Sequence, residues 1–288
     1  MKQKSLLASY IELTKPSILL LVLITTMLGY YLGSEGMLHW NTIIWLLLGV
    51  ACVCAGSAAL NHYLEREFDS KMLRTKNRPI PNGTITPYQA LSFGITLTLL
   101  GIFILYVKIN ILTSFLSLLT AFLYIMVYTP MKRTSWLNTT VGAIPGAIPP
   151  LGGWAAATGT LNFDAGMLFL ILFIWQHPHF YAIAWMYKED YARGGFKMLP
   201  VVEPDGKRMF KHILWYSLLL IPISLTPVLT GLLGPIYCIG ALIAGLLMLR
   251  VSYTFCQSTS ILDARQLLKA TVYYLPFLLI LILIDTKL

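Results

Sequence analysis

Charge is what this sequence has least of. Asp, Glu, Lys and Arg make up 11% of its 288 residues, less than half of the roughly 25% that an average soluble domain carries. So little charge cannot cover a water-facing surface, which excludes an ordinary soluble globule, and a 57% hydrophobic content excludes a disordered chain. Cysteine is sparse as well. Cys52 and Cys54 are two apart and point away from each other on a helix, while Cys238 and Cys256 stand alone. Four cysteines so placed form neither a zinc site nor a disulfide framework. Residues Met1 to Ser5 lack the pattern of a cleaved signal or an organelle transit peptide.

What the chain has in abundance is long apolar runs. A membrane-crossing helix needs about 20 mostly apolar residues, and nine stretches qualify: 17–33, 41–61, 88–108, 111–128, 139–157, 165–186, 213–231, 235–253 and 270–285. Most are apolar all round rather than amphipathic. The expected fold is all-α, a polytopic membrane protein of about nine transmembrane helices forming one integral-membrane domain over 1–288. The stretch 139–157 carries Pro145, Pro149 and Pro150 with several glycines and reads as a buried, broken span, since only neighbouring helices can satisfy the backbone groups it frees.

The net charge of +9 comes from 21 Lys and Arg against 12 Asp and Glu. With nine spans and the N-terminus inside, 19 of the 21 cations fall in inner segments and only Lys108 and Lys287 in outer ones. That asymmetry is the positive-inside pattern, so the basic excess is topological and argues against a nucleic-acid partner.

The acids are concentrated. Seven of the twelve lie in two inner segments. In the first, Asn61, Glu65 and Asp69 follow at i, i+4 and i+8. If the second span continues inward as a helix, they form one stripe of oxygen ligands. Such ligands suit Mg²⁺, which keeps waters and bridges to substrate phosphates. Lys71, Arg74, Lys76 and Arg78 come directly after, and bases beside a metal are what a diphosphate asks for. The plainer reading is a solvated loop whose bases sense anionic lipid. The second segment, Tyr187-Lys188-Glu189-Asp190-Tyr191 through Arg193, Gly194, Gly195 and Lys197, again mixes acids with bases before glycines break the helix. It reads either as the facing half of the same site or as a polar connector. In the sixth span, His177 and His179 flank Pro178. Ionisable groups within a membrane are functional candidates by default, here for contact with a polar or iron-bearing ring; interhelical hydrogen bonding is the alternative.

These residues resemble the membrane-embedded aromatic prenyltransferases of the UbiA superfamily, and within it the branch that farnesylates heme. The first motif of that group stands here as Asn61, Glu65, Asp69, then Met72, Arg74, Thr75, Arg78 and Pro79. More specific are Tyr128-Thr-Pro-Met-Lys132-Arg133-Thr134, Gly146-Ala-Ile-Pro149-Pro150 through Trp154, Trp175-Gln-x-Pro178-His179-Phe180, Lys188-Glu-Asp190-Tyr191 and Met198-Leu-Pro200. The likeness runs from about Thr14 to Tyr274. Glu65 replaces the Asp of many relatives, and Met186 stands where the second motif usually carries another acid, leaving Asp190 with Glu189 beside it.

The resemblance implies transfer of a farnesyl group from farnesyl diphosphate to the 2-vinyl group of heme B, inside a chamber enclosed by the helices. Heme B is then substrate rather than cofactor, and Mg²⁺ the divalent cation. It implies Asn61, Glu65, Asp69 and Asp190 as metal ligands, and Arg74, Lys76, Arg78, Lys132, Arg133, Lys188 and Lys197 as diphosphate contacts. His177 and His179 are implied as heme contacts, with heme A synthase or a terminal oxidase as the partner receiving the product. The implied location is a bacterial cytoplasmic membrane, with the N-terminus and both loops on the cytoplasmic side. A quinone or phenol prenyltransferase is the near alternative, and a transporter lined by the broken span the distant one.

Overall fold

The computed structural model describes residues 5–285; Lys2, Lys4 and Lys287 of the charge count lie outside them. The described residues form α1 (Leu6–Leu13), α2 (Pro16–Gly33), α3 (Trp40–Asp69), α4 (Pro87–Lys108) and α5 (Ile111–Phe122), which continues as a π-helical turn (Leu123–Tyr128) into α6 (Thr129–Met131). Then follow α7 (Asn138–Ala147), α8 (Pro149–Thr158), α9 (Phe163–Met186), α10 (Lys188–Arg193), α11 (Leu199–Val202), α12 (Lys207–Leu229), α13 (Pro235–Ser258) and α14 (Ile261–Asp285). There is no strand among these residues. Side chains cap several entries: Ser5 accepts from the Ala8 amide, Asn110 from Thr113, Asn162 from Ala165, and Thr86 forms a reciprocal box with Gln89.

Eight helices among the described residues are long and apolar enough to cross a membrane. The ninth expected span is present as α7 and α8, two ten-residue helices that meet at Ile148 beside Pro149. At its start, Asn138 Nδ2 donates to the Lys197 carbonyl near the two polar loops; at its far end, Asn110 Nδ2 donates to the Ala155 carbonyl beside the α4–α5 turn. The broken pair therefore runs from one end of the bundle to the other. Several helices outrun their apolar stretches. α3 continues to Asp69 rather than ending near 61, and α12 and α14 begin at Lys207 and Ile261. Cations expected in loops, such as Lys211 and Lys269, therefore sit on helical turns.

α9 is the hub. Its most apolar stretch is 61% buried, against 22–50% for the other seven long helices, and α12 and α14 pack on it while α13 packs on both. On the other side α3 lies along α4, and α2 along α8. The α2–α8 contact is backbone on backbone. A Cβ on Gly153 would run into the Thr26 carbonyl oxygen, and one on Gly29 into the Pro150 carbonyl, so glycine is what lets these helices meet. Outward faces carry exposed Leu, Ile and aromatic side chains such as Ile111, Trp215 and Tyr273, the surface a lipid environment accepts. Between α2, α3, α5 and α7 to α9 lies a cavity of about 470 Å³, walled mainly by apolar side chains.

Candidate active site

Because α3 stays helical to Asp69, the i, i+4, i+8 spacing places Asn61, Glu65 and Asp69 on one face, each 4% exposed or less. Buried carboxylates need partners, and each member of the stripe meets a different cation. Lys15 Nζ donates to Asn61 Oδ1 at 2.6 Å. Lys132 Nζ lies 2.9 Å from Glu65 Oε1. Arg78 Nη1 reaches both Asp69 oxygens, at 2.9 and 2.7 Å. Asn61 also donates to Thr129 Oγ1, and Thr75 Oγ1 donates to the Asp69 carbonyl. Three cations from three segments thus meet two carboxylates and an amide, a net positive cluster at one end of the cavity.

Lys15 was not among the expected residues. It directly precedes Pro16 at the start of α2 and has φ 51°, ψ 66°, a left-handed conformation that costs a side chain such as lysine about 1–2 kcal/mol. The strained turn sends Nζ to Asn61 and to within 3.3 Å of the Tyr124 hydroxyl. Burial, and next the Arg78 guanidinium, push the Lys15 ammonium down to about 7. Its charge is expensive until an anion arrives. The signal in the sequence was a lone lysine abutting a proline and a long apolar run.

Lys132 sits over the Tyr128 ring at 4.6 Å. Burial pulls its ammonium down, but the Glu65 carboxylate, with Tyr128 and Tyr124, outweighs that and holds it above its ordinary range. Lys15 and Lys132 line the cavity, whereas Asn61, Glu65 and Asp69 lie behind them. The stripe gains one further member inward, Ser57, which lines the cavity and whose buried hydroxyl has no partner among the described residues. Tyr124 and Tyr128 come to the same wall because the π-helical turn re-aims the chain after Phe122.

The other expected residues divide. Arg74 lines the cavity, with its guanidinium over the Tyr187 and Tyr191 rings at 4.9 and 5.6 Å. Arg133 stacks on Phe68 at 4.4 Å. Lys76 is exposed. Lys188 lies over Trp185, which packs on Phe210 and Phe255, and so turns away from the cavity. Lys197 acts through its main chain: its amide donates to the Lys132 carbonyl at 2.7 Å.

Asp190 does not join the stripe. Its carboxylate accepts from the Leu73 and Arg74 amides at 2.8 and 3.0 Å and from Arg193 Nη2 at 2.6 Å. Burial raises its carboxyl, but Arg193 and the two amides outweigh that and hold it below the ordinary carboxylate range. Among the described residues no three of His, Cys, Asp and Glu gather as a metal cage. Asn61, Glu65 and Asp69 offer oxygen donors of the kind Mg²⁺ takes, with water and phosphate completing its shell, once Lys15, Lys132 and Arg78 release them.

The two histidines also part company. Two residues apart on α9, they face opposite ways. His179 lines the cavity with Trp175 and Gln176, its Nδ1 2.8 Å from Thr271 Oγ1. His177 lies outside the cavity lining. It stacks on Tyr216 with ring centroids 3.7 Å apart and bonds to the Phe173 carbonyl and Thr140. It joins α9 to α7 and α12.

The model of the UbiA prenyltransferase family matches residues 22–277. Protoheme IX farnesyltransferase of Solibacter usitatus is 44% identical over 285 residues, covering 96% of this chain and 98% of the relative. The enzyme of the same name from Salinibacter ruber is 44% identical over 280 residues, covering 97% and 99%. Among solved structures, one of digeranylgeranylglyceryl phosphate synthase superposes with a TM-score of 0.82 at 19% identity, over 98% of this chain and 99% of that one. A UbiA homolog from Archaeoglobus fulgidus, bound to GPP and Mg²⁺, superposes with a TM-score of 0.68 at 17% identity, over 95% and 99%. These likenesses at low identity concern the fold.

Proposed function

We infer the function of this chain from one premise: it belongs to the UbiA prenyltransferase family. It is an integral-membrane prenyltransferase that moves the farnesyl group of farnesyl diphosphate onto the 2-vinyl group of heme B. Heme O and diphosphate are the products. The observation that carries this reading is the meeting of Lys15, Lys132 and Arg78 on the Asn61–Glu65–Asp69 stripe, at the polar end of an apolar cavity. One end suits a diphosphate and the other a greasy chain. The near-full-length likeness to proteins named protoheme IX farnesyltransferase supports heme as the acceptor.

Asn61, Glu65 and Asp69 would hold Mg²⁺, which when bound supplies Lewis-acid neutralisation of the leaving diphosphate; the solved relative that holds GPP and Mg²⁺ supports this. Lys15, Lys132, Arg74 and Arg78 release part of their hold on protein groups and turn it to the phosphate oxygens. The farnesyl C1–O bond then breaks, with its electron pair leaving on the diphosphate. Tyr124 and Tyr128 present π faces to the allylic cation. The terminal vinyl carbon of heme bonds to C1, and water adds to the resulting cation with loss of a proton, giving the hydroxyethylfarnesyl arm. The apolar wall keeps bulk water out until that step. His179, with Gln176 and Trp175, is the side of the chamber that meets the porphyrin.

The charge asymmetry supports a cytoplasmic side for the polar end of the bundle, and we take the membrane to be a bacterial inner membrane. The product passes to a heme A synthase or a terminal oxidase. Purified protein given farnesyl diphosphate, Mg²⁺ and either heme B or a quinone precursor tests the reading. The expected product is heme O, identified by mass; turnover of the quinone precursor alone would transfer the assignment to a ring prenyltransferase.

A further inference from the structure

Asp190 lies in the loop where a second set of metal ligands is expected, yet its surroundings are of another kind. Oδ1 accepts from the Leu73 amide at 2.8 Å and from Arg193 Nη2 at 2.6 Å, and Oδ2 accepts from the Arg74 amide at 3.0 Å. A carboxylate offers about four acceptor positions, and three are taken. The Leu73 and Arg74 amides lie 117 and 116 residues away and donate to no main-chain carbonyl among the described residues. Asp190 thus satisfies two donors of the loop that follows α3, and Arg193 steadies the carboxylate from the other side.

That loop carries the cations of the site. Arg74 reaches the cavity wall over Tyr187 and Tyr191, three residues before and one after Asp190, and its Nη2 lies 3.4 Å from the Tyr191 hydroxyl. Four residues on, Arg78 returns to Asp69. A second anchor lies next to the first. Met72 is 2% exposed and packs with Ala184, Phe196 and Met198. A Cβ on Gly194 would come within 2.9 Å of Met72 Cγ, so glycine leaves it room. The loop is thus pinned to the α10 segment at Met72, Leu73 and Arg74, and to the end of α3 through Arg78.

We propose that Asp190 is a positioning residue: it clamps the Leu73–Arg74 amides so that Arg74 stands ready for the diphosphate, and the metal is held by the Asn61–Glu65–Asp69 stripe without it. This rests on the prenyl-diphosphate reading of the stripe, but it removes Asp190 from the ligand set. Asp190→Asn replaces one acceptor with a donor that meets a donor. Arg193→Ala frees the same carboxylate without touching any oxygen that could bind metal, and because the Arg193 side chain is exposed that variant should fold.

The test uses the full chain in detergent or nanodiscs, with Mn²⁺ as the metal probe and three readouts. Amide exchange at Leu73 and Arg74 should quicken about tenfold in Asp190→Asn, the scale of one hydrogen bond to a charged group, and by a smaller factor in Arg193→Ala. KM for farnesyl diphosphate should rise about tenfold while kcat changes little. Mn²⁺ stoichiometry and affinity, read by electron paramagnetic resonance, should stay at the wild-type values in both variants and fall in Asp69→Asn. A fall in Mn²⁺ binding in Asp190→Asn, with amide exchange unchanged, overturns the proposal. Undiminished Mn²⁺ binding in Asp69→Asn would instead count against the stripe as the metal site, while the amide exchange still decides the clamp.

Discussion

Lys15 and Asn61 lie 46 residues apart in the chain, and their side chains meet at 2.6 Å. Lys15 lines the cavity and Asn61 stands behind it, so the ammonium separates the oxygen stripe from the space that substrate enters. A cation buried at this point, held by an amide oxygen rather than a carboxylate, gains from a phosphate oxygen.

Lys15→Met keeps most of the length and the apolar stem of the side chain and removes the charge. A hydrogen bond to a charged group is worth about 1.5–3 kcal/mol, so affinity for farnesyl diphosphate should fall by about 10- to 100-fold. Titration with a non-reactive thiolo-diphosphate analogue measures it. Unchanged affinity would remove Lys15 from the site.

The two histidines of α9 should fail in different ways. His179→Phe should weaken heme B binding by about tenfold, followed by Soret absorbance, and leave thermal stability near wild type. His177→Phe removes the two imidazole bonds, to the Phe173 carbonyl and to Thr140, the second of which ties α9 to α7. It should lower stability by about 1–3 kcal/mol with heme affinity unchanged. Equal effects on heme affinity would contradict the separation seen across the helix.

Much of this site is legible in the sequence. The spacing of Asn61, Glu65 and Asp69 needed only that α3 stay helical, and it does. The prolines of 139–157 announced a break, and the helices part at Ile148. What spacing could not show was who answers each group. Lys15 comes from another helix through a left-handed turn, and the amides on Asp190 belong to a loop 117 residues away. Local periodicity carries no information about either. The two-residue separation of His177 and His179, by contrast, already required that they face apart.

Gly153→Ala should cost about 1–3 kcal/mol, the range for overpacking, because the new methyl meets the Thr26 carbonyl oxygen and the Tyr30 amide. α2 would be pushed from α8 and the cavity wall with it. Thermal unfolding in detergent reads the loss; a wild-type midpoint would show that the helices are not held at backbone contact.

The depressed Asp190 carboxyl sets the sign of a pH effect. Its folded value lies below that of an unfolded Asp, about 3.9. The clamp therefore contributes fully above that pH and is lost only as pH falls through the lower folded value. Amide exchange at Leu73 and Arg74, corrected for the intrinsic rate, should be flat from about pH 8 to pH 5. Loosening within that window would mean that the carboxylate is not held as its partners indicate.

The central claim is that the stripe on α3 is the reaction centre, and Asp69→Asn tests it most directly. The amide keeps the shape of the side chain and one oxygen but removes the charge that answers Arg78. Wild type and variant, matched for membrane insertion and for thermal unfolding in detergent, receive farnesyl diphosphate, heme B and Mg²⁺, and heme O is measured by mass. The expected result is heme O from the wild type and a loss of at least about 100-fold in the variant, the scale on which electrostatic stabilisation of a transition state acts. Heme O formed at the wild-type rate by Asp69→Asn would contradict the assignment.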